Sequence, residues 1–498
     1  MSKATVVGSL LIAVVATIAA VILLRPKQGT GITGVVTSVL TTDQVAAAVE
    51  IELEHPDGFH LSGSAWKRVV VSQDAFGTWW AAFEESLTES PRSLRWPVEE
   101  TQVRAMLRVL GSTEVRSSQR ERDDSEQFGD VYRLGIRVQG HGWIRYQLTS
   151  PRLGGVVYAI NQEDRTHTSV WPSEVFDGLY APGPVAWLNK HCFAGVGEAD
   201  SIAIITNNEP MELQRSGSRW SMTKPVVSVV DATAMDALLK SIGTLSWETI
   251  QPGADKAPGW NDQIVDVEVR SSRKNQSGGA TEEVVTLRTA LADPSNSAVM
   301  RSRPATIRRM DRSKSSKPPE ASVQLTVSSA SISEILMTPA QLVSRMSVQH
   351  PAKDIGAIRV TTTDGLTAIF ARTLDGWAFR SEAGVTTELS ASFQSTVAEL
   401  VRTLCETPVD SEAIQIIGDL HDYGMTGPFT SIEFLTLSDL SLGIVNIKLQ
   451  PVASGPASLG VGGFIAVCQN HYVERTYPAS TLDQYVRMLV DFVRTAQK

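Results

Sequence analysis

Cysteine is scarce in this chain: 498 residues hold three, Cys192, Cys405 and Cys468, far apart and odd in number. No CxxC or mixed Cys/His spacing occurs, so neither a disulfide framework nor a structural zinc site is indicated. The thiols read most simply as small buried apolar residues, with one disulfide left open for a domain facing an oxidising compartment. The eight histidines show no HExxH pair and no metal-ligand pattern. There is no GxSxG elbow and no SxxK for a serine hydrolase. The glycine-rich run at 455–463 lacks the Lys-Ser/Thr that a phosphate-binding loop requires, and reads as a hairpin connection. His421-Asp422, ahead of Tyr423-Gly424 in a turn, is a weak candidate for a catalytic pair. Positive charge is also short. A net charge of −9 argues against nucleic acid as the main partner. No catalytic residue, metal ligand or cofactor is expected on these grounds.

A chain that is 42% hydrophobic and 20% charged is of folded globular type, and its length suits about three domains. The N-terminus has a long apolar run, Val6 to Leu24, 19 residues without a charge. As a helix it would span about 28 Å, close to a bilayer's hydrocarbon thickness. Arg25-Pro26-Lys27 follows directly, so it reads as an uncleaved anchor over residues 1–28 rather than a cleaved signal. Lys3 on one side and Arg25 and Lys27 on the other nearly balance. A short N-terminal tail kept in the cytoplasm would place residues 28–498 outside the inner membrane, in the periplasm.

The stretch 201–245 carries a unit that recurs along the chain. Ile202 and Ile204, Met211 and Leu213, and Trp220 and Met222 mark three short alternating strands separated by turn residues. Asp231 is placed to cap a helix whose stripe is Ala234, Leu238, Ile242 and Leu245. The plan returns at 357–404, with Trp377 after Asp375-Gly376 and a stripe of Phe393, Val397, Leu400, Val401 and Leu404. A degraded copy lies at 66–110, where Trp96 precedes Val103, Met106, Leu107 and Leu110, but 73–95 shows no clean hairpin. Each copy closes on a strand, a turn and a short helix, at 169–179, 334–346 and 475–489.

The expected fold is therefore α+β: a transmembrane helix followed by about three repeated modules, each a small antiparallel meander packed on amphipathic helices. Their bounds are 40–185, 195–346 with a basic insertion, and 352–498. The landmark tryptophans, Trp96, Trp220 and Trp377, read as core plugs between sheet and helix. A sugar-stacking role would need exposed rings, above all among Trp79, Trp80, Trp143 and Trp260. In the insertion, Arg301, Arg303, Arg308, Arg309 and Arg312 read as a solvated loop or, functionally, as a patch for anionic lipid or an acidic partner. Residues 270–283 read as a polar loop.

Strand, turn, Trp, Pro and a helix ending in Leu-Leu-x-x-Ile, as at 213–225 with 235–245, resembles the bacterial family labelled domain of unknown function 4340. Tyr423-Gly424-Met425 with Gly427-Pro428 is similar to that family's Tyr-Gly-Leu-x-x-Pro element, and 473–486 to its closing strand and helix. The third copy departs from it, with Ala378-Phe379-Arg380 and no Pro after Trp377. The resemblance implies a membrane-anchored extracytoplasmic protein, of a kind that accompanies ABC-type export systems linked to gliding motility. It brings no catalytic residues. The expected function is a non-catalytic scaffold or accessory subunit of a membrane complex, with an ABC-type permease as a possible protein partner. The alternative is an envelope glycan- or lipid-binding module.

Overall fold

The computed structural model describes residues 35–496 apart from 62, 86–92, 120–130, 152–154, 164–166, 182, 253–263, 275–279, 291–301, 312–321, 382–383, 417–429, 450–462 and 469–472. The chain falls into two compact units, residues 1–56 with 103–183, and residues 57–102 with 184–498.

The elements fall into three runs. The first opens with β1 (Val35–Ser38), α1 (Thr42–Ala47), β2 (Ala48–Leu61), β3 (Ser64–Gln73), β4 (Trp79–Glu84), β5 (Ser93–Pro97) and α2 (Glu100–Ser112). It closes with β6 (Glu114–Gln119), β7 (Tyr132–Val138), β8 (Gly142–Leu148), β9 (Val156–Asn161), β10 (His167–Pro172) and α3 (Ser173–Tyr180). The second opens with β11 (Ala199–Thr206), β12 (Glu209–Ser216), β13 (Arg219–Lys224), β14 (Ser228–Val229) and α4 (Ala232–Thr244). It goes on through β15 (Trp247–Pro252), β16 (Ile264–Lys274), β17 (Ala280–Ala290), β18 (Ser302–Asp311), β19 (Val323–Ser328), α5 (Ser329–Ile335) and α6 (Pro339–Leu342). The third has β20 (Ala357–Thr361), β21 (Thr367–Thr373), β22 (Gly376–Arg380), β23 (Thr386–Glu388) and α7 (Ala391–Glu406). Its second half is β24 (Ile414–Ile416), β25 (Thr430–Leu435), β26 (Ser441–Leu449), β27 (Gly463–Cys468), β28 (Val473–Pro478) and α8 (Ala479–Ala496).

The strand orders show one plan used three times. The second sheet runs β14-β13-β12-β11-β16-β17-β18-β19-β15, and the third β23-β22-β21-β20-β25-β26-β27-β28-β24. Position for position these are the same order. The first sheet follows it too, as β5-β4-β3-β2-β7-β8-β9-β10-β6 with β1 added beyond β6. In each, a four-strand meander leads to a helix, the next strand crosses to the far end of the nine-strand order, and four more strands fill the gap before a closing helix. Within the first unit β2 pairs with β7 through residues 48–54.

This architecture corrects the α+β expectation. The molecule is mostly β, in antiparallel sheets of nine or ten strands, and the helices are subsidiary to them. The misreading has a physical cause. Residues 264–274, 280–290 and 302–311 carry so many charges that they resemble loops, yet all three are strands, and in the first the apolar residues alternate. Val265, Val267 and Val269 are buried, while Asp266, Glu268 and Arg270 between them stay half-exposed. That period of two is a strand with one solvated face. The charges then pair on that face, as with Arg288 and Asp266 at 2.6 Å. The expected single-pass span is corrected as well: among the described residues no helix is long and apolar enough to cross a membrane, and residues 6–24 lie outside them.

The helices that carry sequence stripes do cover sheet. Asp231 caps α4 by accepting from Ala234 N at 3.0 Å, and Met235, Leu238 and Ile242 face inward. Ser390 caps α7 in the same way, with Val397, Leu400, Val401 and Leu404 buried. On α2 the buried residues are Val103, Met106, Leu107 and Leu110.

Candidate functional site

The strand register identifies which tryptophans correspond. Trp220 lies opposite Arg215 one pair in from the β12–β13 turn, and Trp377 lies opposite Arg372 one pair in from the β21–β22 turn. The residue at that place in the first run is Trp80, opposite Ser72. It is not Trp96, which stands on the next strand, β5. The hairpin that supplies Trp80 closes on Asp74. One carboxylate oxygen of Asp74 accepts from Phe76 N and Thr78 N, and the other accepts from Trp80 Nε1 at 2.9 Å. An Asx turn of this kind needs a single Asp and no Asn-Gly or Asp-Gly dipeptide, which is why 73–95 shows no hairpin signal.

Trp80 is closed over. Its exposure is 6%, Arg95 lies over the ring at 4.5 Å, and the Arg309 guanidinium stands 5.3 Å from its centre. Beside it, Trp96 and Trp247 meet edge to face and both donate their Nε1–H to the Asn189 carbonyl, at 2.8 and 2.9 Å. Lys190 sits 3.6 Å over the Trp247 ring, and burial lowers its pKa. Trp377 is likewise 6% exposed. For these rings the core-packing reading describes what the structure shows.

The basic run is divided by the pleat of β18. Arg309 is buried and gives Nη2 to the carbonyls of Cys192 at 3.2 Å and Ala194 at 2.8 Å, and pairs with Glu283 at 3.4 Å. Arg303 is half-buried, bonded to Ser329 Oγ at 2.8 Å and to the Ala290 carbonyl at 3.2 Å. Arg308 alone of the three stands in solvent, while Arg301 and Arg312 lie outside the described residues. Residues 302–311 are therefore neither a solvated loop nor one basic surface. Among the other aromatic candidates Trp79 is buried, and Trp143 is half-buried with Arg145 4.6 Å over its ring. Trp260, His421 and the Tyr423 element lie outside the described residues.

Trp220 differs from its two counterparts. It is half-exposed and walls a cleft of about 600 Å³ between β13, the start of α4 and the segment that follows α6. Val229, Val230, Met235 and Leu239 supply apolar lining. Arg215, Arg219, Glu198, Asp236, Gln349 and His350 supply polar groups. Arg215 is occupied, paired with Glu198 at 2.5 Å and donating to the Gly217 carbonyl at 2.9 Å. Among the described residues, the Trp220 indole N–H, the Arg219 guanidinium, the Asp236 carboxylate and the His350 imidazole have no hydrogen-bond or ion-pair partner.

The difference between Trp80 and Trp220 lies in the segment beside each. After α3 and after α6 the chain docks alike: Leu188 bridges Val98, and Val343 bridges Val230. Glu99 N bonds the Trp187 carbonyl and Asp231 N the Leu342 carbonyl, at 2.7 and 2.8 Å. Seven residues past the bridge the first segment has Gly195, so close to the Trp80 ring that a Cβ there would lie 3.4 Å from it. The second has His350 at that count. A bare glycine lets backbone close on the ring, whereas in the second segment Gln349 and His350 line an opening.

Among the described residues no group of three or more His, Cys, Asp or Glu side chains is placed to hold a metal ion. Comparison with family models, with curated proteins and with solved structures finds no match to this chain.

Proposed function

We propose that the protein is a binding scaffold, an accessory subunit whose partner is another protein, and that it works without a catalytic step of its own. The observation that supports this reading is one strand order used three times, with ion pairs on the half-exposed face of every sheet. Glu50–Arg137 and Glu54–Arg133 lie across β2 and β7, each at 2.7 Å. Asp266–Arg288 lies across β16 and β17, and Arg359–Glu433 across β20 and β25. In the first sheet a shallow hollow of about 240 Å³ opens among Glu52, Glu54, Arg133, Arg145 and Gln147.

Half-exposed pairs of this kind contribute about 0–1 kcal/mol each. Stability is therefore a poor account of their recurrence at or beside the central strand pair. Fixed patterns of charge on a rigid surface steer a partner and set its register. The motifs behind the family resemblance favour an ABC-type permease or its ATPase as that partner.

The test is purification of the tagged full chain from its native host in mild detergent, with co-purifying proteins identified. A second preparation carries exchanged pairs (Asp266→Arg with Arg288→Asp, Arg359→Glu with Glu433→Arg), which keep each pair but invert the pattern. A stoichiometric partner lost on exchange, with the circular dichroism spectrum unchanged, supports the reading. Recovery of the protein alone, or a partner indifferent to the exchange, counts against it.

A further inference from the structure

We infer that the Trp220 cleft is a binding site for neutral carbohydrate, taking one or a few glycosyl residues of an uncharged glycan. Three observations lead there independently of any protein partner.

The first is the contrast among equivalent rings. Trp80 and Trp377 are spent on packing, each 6% exposed, and the Trp80 N–H is bonded to Asp74. Trp220 holds the same strand position but is half-exposed, and its N–H has no partner among the described residues. An open indole offers an apolar face with a hydrogen-bond donor at its edge, which suits the C–H face and ring-edge hydroxyls of a pyranose.

The second is charge. Two cations, Arg215 and Arg219, face two anions, Glu198 and Asp236. A lining that sums to zero gives a phosphate or polyanion no net attraction, and an acyl chain would leave Arg219 and Asp236 buried without partners. A polyol does neither, since each hydroxyl both donates and accepts. It can accept from Arg219 and the Trp220 N–H, donate to Asp236 and exchange with His350.

The third is size. About 600 Å³, with apolar residues beside a few convergent polar groups, falls in the range of small-ligand sites, roughly 300–1,000 Å³.

The experiment uses the purified full chain and neutral tetrasaccharides of the cello, chito, malto, manno, galacto and xylo series, with isothermal titration as readout. Saturable binding by at least one series is expected, weakened about tenfold or more by Trp220→Ala and by Asp236→Asn. Trp143→Ala, in the other compact unit, leaves it unchanged. Asp236 is exposed on α4, so its variant decides the matter should Trp220→Ala fail to fold. The inference is overturned if no series binds at about 10 mM, well past the weak 1 mM regime. It is overturned equally if binding survives both cleft variants, or if a sulfated oligosaccharide or a peptide binds there in place of every neutral sugar.

Discussion

Replacing Arg309 with alanine should cost this protein more than the same change at Arg303 or Arg308. The residue is 6% exposed, and its guanidinium serves the Cys192 and Ala194 carbonyls, Glu283, and the faces of Trp80 and Trp96, each 5.3 Å from their centres. Removal strips buried carbonyls of a donor, at about 1–3 kcal/mol, and breaks a largely buried pair, at about 3–5 kcal/mol. These losses overlap, because Glu283 keeps Arg273 at 3.7 Å. The net expectation is about 3–5 kcal/mol, read in urea unfolding of the full chain by tryptophan fluorescence. At about 2–4 °C per kcal/mol this lowers the corresponding thermal transition by about 6–20 °C. Arg309→Lys keeps the charge but not the planar fork, and should fall between the two. Arg308→Ala, one residue away on the solvated face, should stay within about 0.5 kcal/mol of the parent. If Arg309→Ala and Arg308→Ala unfold alike, the reading of β18 as a strand whose inward face is locked by Arg309 is wrong.

Two further predictions concern the buried thiols and two glycines. Burial pushes the Cys192 thiol up to about 12, with Arg309 acting weakly in the other direction, and the Cys405 thiol up to about 12, aided by Glu406. With Cys468 replaced by Ser, a thiol reagent should modify neither before unfolding. The fold holds these thiols neutral while the unfolded chain ionises them from their ordinary value near 9, so stability is full below that pH. It should then fall towards pH 12 by about 1.4 kcal/mol per unit for each thiol, and a flat profile over that window would contradict the burial. Gly356 is pinned between β21 and β25 by two backbone bonds, and a Cβ there would lie 2.2 Å from Leu437 N. Gly356→Ala should therefore lose about 3 kcal/mol to overpacking, against ~1 kcal/mol for Gly365→Ala, which meets nothing within 4 Å and suffers only its φ of +82°. Equal losses in chemical denaturation would refute the distinction.

The local rules were legible where side chains announce them. The strands at 199–224, the Asp231 cap and the stripes of α2, α4 and α7 all follow from period and capping chemistry. Sheet size was not legible, because β16 keeps apolar residues only at every second position with charge between, and β17 and β18 are as rich in charge as a loop. Nor was the correspondence of tryptophans, since Trp96-Pro97 resembles the motif better than Trp79-Trp80 does. The register that ranks Trp80 with Trp220 exists only once strands have paired. The cleft followed the same pattern. Trp220 stood out as a landmark, but Asp236 and His350 come from α4 and from the segment beyond α6, and nothing in their spacing links them.

The crossing strand of each repeat also sets a timetable. In the second, β15 leaves α4 and lies at the sheet's edge with β19 as its one neighbour, and Thr249 bonds Thr326, 77 residues downstream. At about 5–20 residues per second, some 4–15 s of synthesis separate the two. For that interval β15 is an open template, without the partner that will cover its hydrogen-bonding edge. The third repeat does the same with β24 and β28, and there the partner strand directly precedes the final helix α8. Synthesis that stalls before residue 473 would leave β24 without its one neighbour in the third sheet.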